Sequence, residues 1–202
     1  PPPQVAVVAP PVAPPPAREA YRNVTIVVDP GHGGHDPGTL GNGHSFMPEK
    51  SLTLAIATEL AQQLRSRGAN VVMTRTGDWF LELDSRAAVA NRHRADIFVS
   101  IHIDASRNTG ASGTTVYMCR GGSAQSRQLA QCVAQALQDA GIECRGTRSA
   151  GYRVLVASNC PAILVECGFL TNFGDARQLN TPYHRARLAA AIAQGIGNHF
   201  GW

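Results

Sequence analysis

The sequence predicts an α/β fold, a mostly parallel sheet with helices on both faces. Two observations carry this. Short β-branched runs alternate with helical patterns of 10 to 18 residues along most of the chain, and the runs are apolar at consecutive positions and close in turn residues, as buried strands do.

Val24 to Val28 is the first such run, ended by Asp29-Pro30-Gly31. From Ser51 to Arg67, Leu52, Ile56, Leu60 and Leu64 recur every four residues beside Ala57 and Ala61. They form one apolar helical stripe, closed by Gly68. Val71 to Met73 is a second strand, Ser85 to Arg94 a shorter helix and Asp96 to His102 a third strand. Gly113 to Met118 is a fourth strand, and Ser123 to Ala140 is a helix stopped by Gly141. Tyr152 to Val156 is weakly strand-like, and Ala162 to Glu166 more strongly so. Thr181 as N-cap and Pro182 at the first helical position start a last helix that runs to Phe200.

The 202 residues suit one domain plus a tail, because a domain takes roughly 100–200 residues. Eight of the 13 prolines fall in the first 16 residues, so residues 1–20 read as an extended polyproline-type linker before a domain at 21–202. With 44% hydrophobic and 16% charged residues, the chain is neither a disordered nor a collagen-like polymer. No apolar run approaches the roughly 20 residues of a membrane helix. The charge is +4, with Lys50 the sole lysine and the arginines dispersed. That distribution argues against nucleic-acid binding and fits a mild attraction to an anionic envelope polymer. Cys119, Cys132, Cys144, Cys160 and Cys167 lack CxxC spacing, which excludes a zinc knuckle and a thioredoxin motif. They are expected to be buried small hydrophobes, with one disulfide as an open alternative and at least one free thiol.

Ligands of open α/β sheets bind beyond the carboxyl ends of the strands. The first strand runs into Asp29-Pro-Gly-His32-Gly-Gly-His35-Asp36, the third ends at Ser100-Ile-His102-Ile-Asp104, and the sixth ends at Glu166. Catalytic zinc takes three protein ligands, commonly two His and a Glu, and leaves one position open. His32 and His102 supply two imidazoles. Glu49 can supply the carboxylate, leaving Glu166 as general base. Glu49 is equally a favourable charge at a helix N-terminus, and spacing does not decide between these readings. Glu166 closes an Ala-Ile-Leu-Val run, so it is either a costly buried charge or functional. His35 and His44 read as solvated turn residues, Arg75 and Arg86 as surface or salt-bridge residues. Asp29 and Asp36 read as turn caps or as partners that orient a liganding imidazole.

The segments Val28-Asp-Pro-Gly-His-Gly-Gly-His-Asp-Pro-Gly38, Glu49-Lys50, Thr74-Arg75, Arg86 with Ala90-Asn91, Ser100-Ile-His-Ile-Asp-Ala105 and Leu164-Val-Glu-Cys-Gly-Phe-Leu-Thr-Asn172 resemble, in order, the zinc-dependent N-acetylmuramoyl-L-alanine amidases of the Amidase_3 type. The resemblance spans Val24 to Trp202. It implies a central six-stranded mixed sheet flanked by helices, and hydrolysis of the amide between N-acetylmuramic acid and L-alanine in peptidoglycan. It implies a Zn2+ cofactor on His32, Glu49 and His102, with Glu166 catalytic. The natural setting would be periplasmic or extracellular, with a signal peptide absent from this sequence and the prolines tethering the domain to an export or wall-targeting segment.

Three departures stand out. The His32–Glu49 loop is about two residues longer than the family pattern and carries His44, and Thr53 stands where Asn is frequent. Division-associated members carry a blocking helix in a long insertion after Ala105, and the residues here between Tyr117 and the helix beginning near Ser123–Gln128 are too few for it. An open groove and no autoinhibitory helix are therefore expected, and a monomer is expected besides. The alternatives are a zinc carboxypeptidase or aminopeptidase on a related scaffold, or a non-catalytic wall-binding module.

Overall fold

The computed structural model describes residues 23–42 and 47–202, so residues 1–20 and His44 lie outside the described residues. Six strands, β1 (Thr25–Pro30), β2 (Asn70–Met73), β3 (Ile97–Asp104), β4 (Thr114–Cys119), β5 (Cys144–Ala150) and β6 (Ala162–Phe169), form one sheet in the order β2-β1-β3-β6-β4-β5. Every neighbouring pair is parallel except β4 with β6. The six-stranded, mostly parallel mixed sheet is the one expected.

The helices are α1 (Glu49–Ser66), α2 (Leu83–Arg92), α3 (Ala124–Asp139), α4 (Arg153–Val156), α5 (Phe173–Leu179) and α6 (Pro182–Phe200). One face of the sheet packs on α1, α3 and α6, through a core that includes Ile26, Leu60, Val99, Leu129, Val165 and Ile192. The other face carries α2 and the single turn α4 over Val27, Phe98 and Leu164. Leu52, Ile56, Leu60 and Leu64 of α1 are all fully buried, as their spacing requires. Thr181 caps α6 by accepting the His184 N–H, and Gly201 ends the helix in the left-handed conformation. No helix among the described residues is long and apolar enough to cross a membrane.

Two local expectations are corrected. Tyr152–Val156 is not a strand: Arg153–Val156 forms α4, whose Val154 and Leu155 bury against the smaller core. The strand lies earlier, at Cys144–Ala150 (CRGTRSA), a half-exposed edge strand with none of the apolar alternation that marks a buried one. All five cysteines are free, so no disulfide forms, and only Cys167 is buried: Cys119, Cys132, Cys144 and Cys160 are half-buried and not the buried small hydrophobes expected.

Where α3 and α6 cross, Gly195 lets the helices touch. A Cβ there would press on the Val133 backbone and come 2.8 Å from the Cys132 carbonyl oxygen. Gly195→Ala is therefore expected to destabilise the fold by about 1–3 kcal/mol through overpacking, despite a helix-propensity gain of about 1 kcal/mol. A urea unfolding midpoint at or above that of the wild type would show that the helices separate freely.

Candidate metal centre

The sheet order reverses between β1 and β3, and the candidate residues gather beyond the carboxyl ends of β1, β3 and β6. His32 follows β1 with φ 59, a left-handed conformation that swings its side chain back toward the strand ends. His102 sits near the end of β3, opposite Glu166 of β6 in the ladder. Glu49 opens α1 and is buried.

These three side chains converge. Glu49 Oε1 lies 3.0 Å from His32 Nε2 and 3.2 Å from His102 Nδ1. The rings of His32 and His102 meet edge to face, 4.9 Å between centroids. Small residues make the room: a Cβ on Gly31 would run into the His102 ring, and one on Gly38 would fall 2.5 Å from Glu49 Oε2. The carboxylate is held from both sides, with the Ile103 N–H donating to Oε1 and the Thr39 N–H to Oε2, each at 2.9 Å.

The donor set fits a divalent metal. One atom from each of His32, Glu49 and His102 lies within 4.8 Å of the others, and tetrahedral ligands about 2.0–2.1 Å from zinc stand roughly 3.3 Å apart. Asp36 Oδ2 lies 2.7 Å from His32 Nδ1, which directs the ring's Nε2 into the cluster. Burial works to raise the Glu49 pKa, but the hydrogen bonds and charges of His102 and His32 outweigh it and bring the carboxyl to about 2. A ready anion faces two imidazoles.

Glu166 is different. It is 8% exposed, and its Oε2 is buried without a hydrogen-bond partner. Burial, with added repulsion from Glu49 and Asp104, pushes its pKa well above the usual carboxylate range. A buried carboxyl oxygen without a partner, beside such a cluster, marks Glu166 as a candidate functional group.

Beneath the cluster, two arginines read from the sequence as surface or salt-bridge residues prove to be buried, at 1% and 2% exposure for Arg75 and Arg86. Arg75 donates to the carbonyls of Pro30, Gly31, Lys50 and Gly77. Arg86 pairs with the fully buried Asp29 at 3.0 Å and donates to the carbonyls of Pro30, His32 and Leu81. Thr74 and Ser100 hydroxyls complete the Asp29 shell. Thr53 is buried and donates to the Gly31 carbonyl. His35 stays outside the cluster, exposed against the Phe80 ring. Sequence reasoning missed Thr115, which stands opposite Glu166 on β4, and the Tyr117–Tyr152 ring pair.

Known proteins share this fold and sequence pattern. The family model described as N-acetylmuramoyl-L-alanine amidase, Amidase_3, matches residues 26–198. The chain belongs to the N-acetylmuramoyl-L-alanine amidase family. This amidase-family chain is 36% identical over 186 residues to YqiI of Bacillus subtilis, covering 91% of this chain and 88% of that one. It is 38% identical over 177 residues to the probable cell wall amidase LytH of Staphylococcus epidermidis, covering 87% of this chain but 58% of that longer protein. The crystal structure of the N-acetylmuramoyl-L-alanine amidase from Clostridium difficile 630 superposes on it with a TM-score of 0.82 at 37% identity, over 87% of this chain and 95% of that one.

Proposed function

We propose that residues 21–202 form a zinc-dependent hydrolase domain that cleaves the amide between N-acetylmuramic acid and L-alanine in peptidoglycan, in the periplasm or outside the cell, with residues 1–20 as its linker. The observation that carries the reading is the buried, unpartnered Glu166 carboxyl beside the His32–Glu49–His102 cluster. Family membership supports the choice of bond.

His32, Glu49 and His102 would hold the zinc ion. When bound, it supplies Lewis acidity, polarising a carbonyl oxygen and making water a usable nucleophile near neutral pH. Asp36 keeps His32 in the liganding tautomer, while the Ile103 and Thr39 amides fix Glu49. Glu166 takes the proton of the attacking water and then gives it to the leaving alanine nitrogen. Residues 105–113, between β3 and β4, hold no helix, and this supports an open groove that works without an activator.

The test is a digest of purified peptidoglycan by the protein alone, with and without a chelator. New amino termini should be L-alanine on intact stem peptides, activity should vanish with chelator and return with zinc, and His102→Ala should lose both metal content and turnover. Cuts between amino acids would instead identify a peptidase, and wall binding without turnover in the presence of zinc would identify a binding module. A low basal rate that climbs steeply with an added activator would refute the open groove.

A further inference from the structure

The face of the sheet that bears Glu166 continues past it onto β4 and β5, where α4 alone among the described helices lies over it. Register places the side chains. Glu166 stands opposite Thr115, Leu164 opposite Tyr117, and Tyr117 opposite Arg148 on the edge strand β5. Paired residues share a face, so Glu166, Thr115, Tyr117 and Arg148 line one strip. Tyr152, just before α4, closes over it with its ring edge-on to Tyr117 at 5.2 Å. The α4 turn is linked to α2 by the Arg153–Asp84 ion pair, one residue beyond Tyr152. The Arg148 side chain is exposed and makes no hydrogen bond or ion pair among the described residues. Charges nonetheless connect the strip: Tyr117 is raised chiefly by burial and by Asp104, while Arg148 acts to lower it.

We propose that Arg148, with Tyr117 and Tyr152, forms a subsite for a carboxylate on the peptide that leaves from the scissile amide. The orientation follows from the amidase reading, on which this proposal rests. The cluster of His32, Glu49 and His102 lies on the β1–β3 side of Glu166, and the strip lies on the β4–β5 side. Glu166 gives its proton to the leaving nitrogen, so the peptide beyond that nitrogen runs over β4 and β5, while the glycan stays on the cluster side. Two strand spacings and two residues of rise put the Cα atoms of Glu166 and Arg148 about 12 Å apart. An extended peptide covers about 3.3–3.6 Å per residue, and both side chains reach into the gap, so the guanidinium meets a group two or three residues into the stem. An uncharged sugar offers a guanidinium only neutral acceptors and no charge to pair with. A peptide carboxylate accepts its fork of N–H donors and lies on the tyrosine rings.

The test uses two synthetic muramyl peptides that differ only in a free carboxylate or its carboxamide on the second stem residue. A charge-assisted pair predicts that the wild type prefers the acid about tenfold in kcat/KM, chiefly through KM. In Arg148→Gln that preference should fall to about one, in Arg148→Lys it should persist in part, and in Arg145→Gln, on the same strand but stacked over Phe169, it should match the wild type. An unchanged preference in Arg148→Gln, or an equal loss in Arg145→Gln, overturns the subsite while leaving the amidase reading intact. A wild type that cleaves neither peptide overturns that reading and the subsite with it.

Discussion

Glu166→Ala is expected to bind as much zinc as the wild type while losing nearly all hydrolysis. Positioned acid–base groups contribute about 10²–10⁴-fold, and this one serves both the attacking water and the leaving nitrogen, so the loss should reach the upper part of that range. The folded state should not suffer. Glu166 Oε2 makes no hydrogen bond, and a buried polar atom without a partner costs about 1–3 kcal/mol, which removal relieves. Metal content, kcat and melting temperature measured on one preparation separate the roles. Turnover at the wild-type level would remove Glu166 from the chemistry, and a collapse in melting temperature would make it structural.

Arg86→Ala should act in the opposite manner, on folding first. Its guanidinium is the cationic partner of the fully buried Asp29 and the donor to the Pro30, His32 and Leu81 carbonyls. Breaking a buried pair from one side costs about 3–5 kcal/mol, a large share of the roughly 5–15 kcal/mol that holds a domain together. Lysine cannot replace the fork of donors, so Arg86→Lys should fail nearly as badly. The double variant Asp29→Asn, Arg86→Leu should lose less than the sum of its single changes, because no charge is left stranded. Additive losses in urea unfolding would mean that the two residues act independently.

Much of this centre is legible in the chain because three of its members end apolar strands. His32, His102 and Glu166 are found by asking what stands at the carboxyl ends of a parallel sheet. Glu49 is not, since it reaches the site through a loop whose course no periodicity encodes, and an acidic residue at a helix start has an ordinary electrostatic explanation. Arg75 and Arg86 stay hidden for another reason. Their acceptors are backbone carbonyls scattered from Pro30 to Leu81, and only the folded chain brings those together. The strand β5 is unreadable because an exposed edge needs no apolar pattern, whereas α4 looks like a strand because one apolar turn of helix and a short buried strand share a composition.

The unpaired cysteines bear on the redox chemistry the fold must survive. Disulfide exchange needs a thiolate. Burial raises Cys132 and Cys167 above the ordinary thiol range and pushes Cys160 up to about 11, where about one molecule in 10⁴ is ionised at neutral pH. In the folded chain these three sulfurs are therefore held as thiols, which slows their exchange with any disulfide. For these three, shape replaces covalent pairing as the protection, and unfolding removes it.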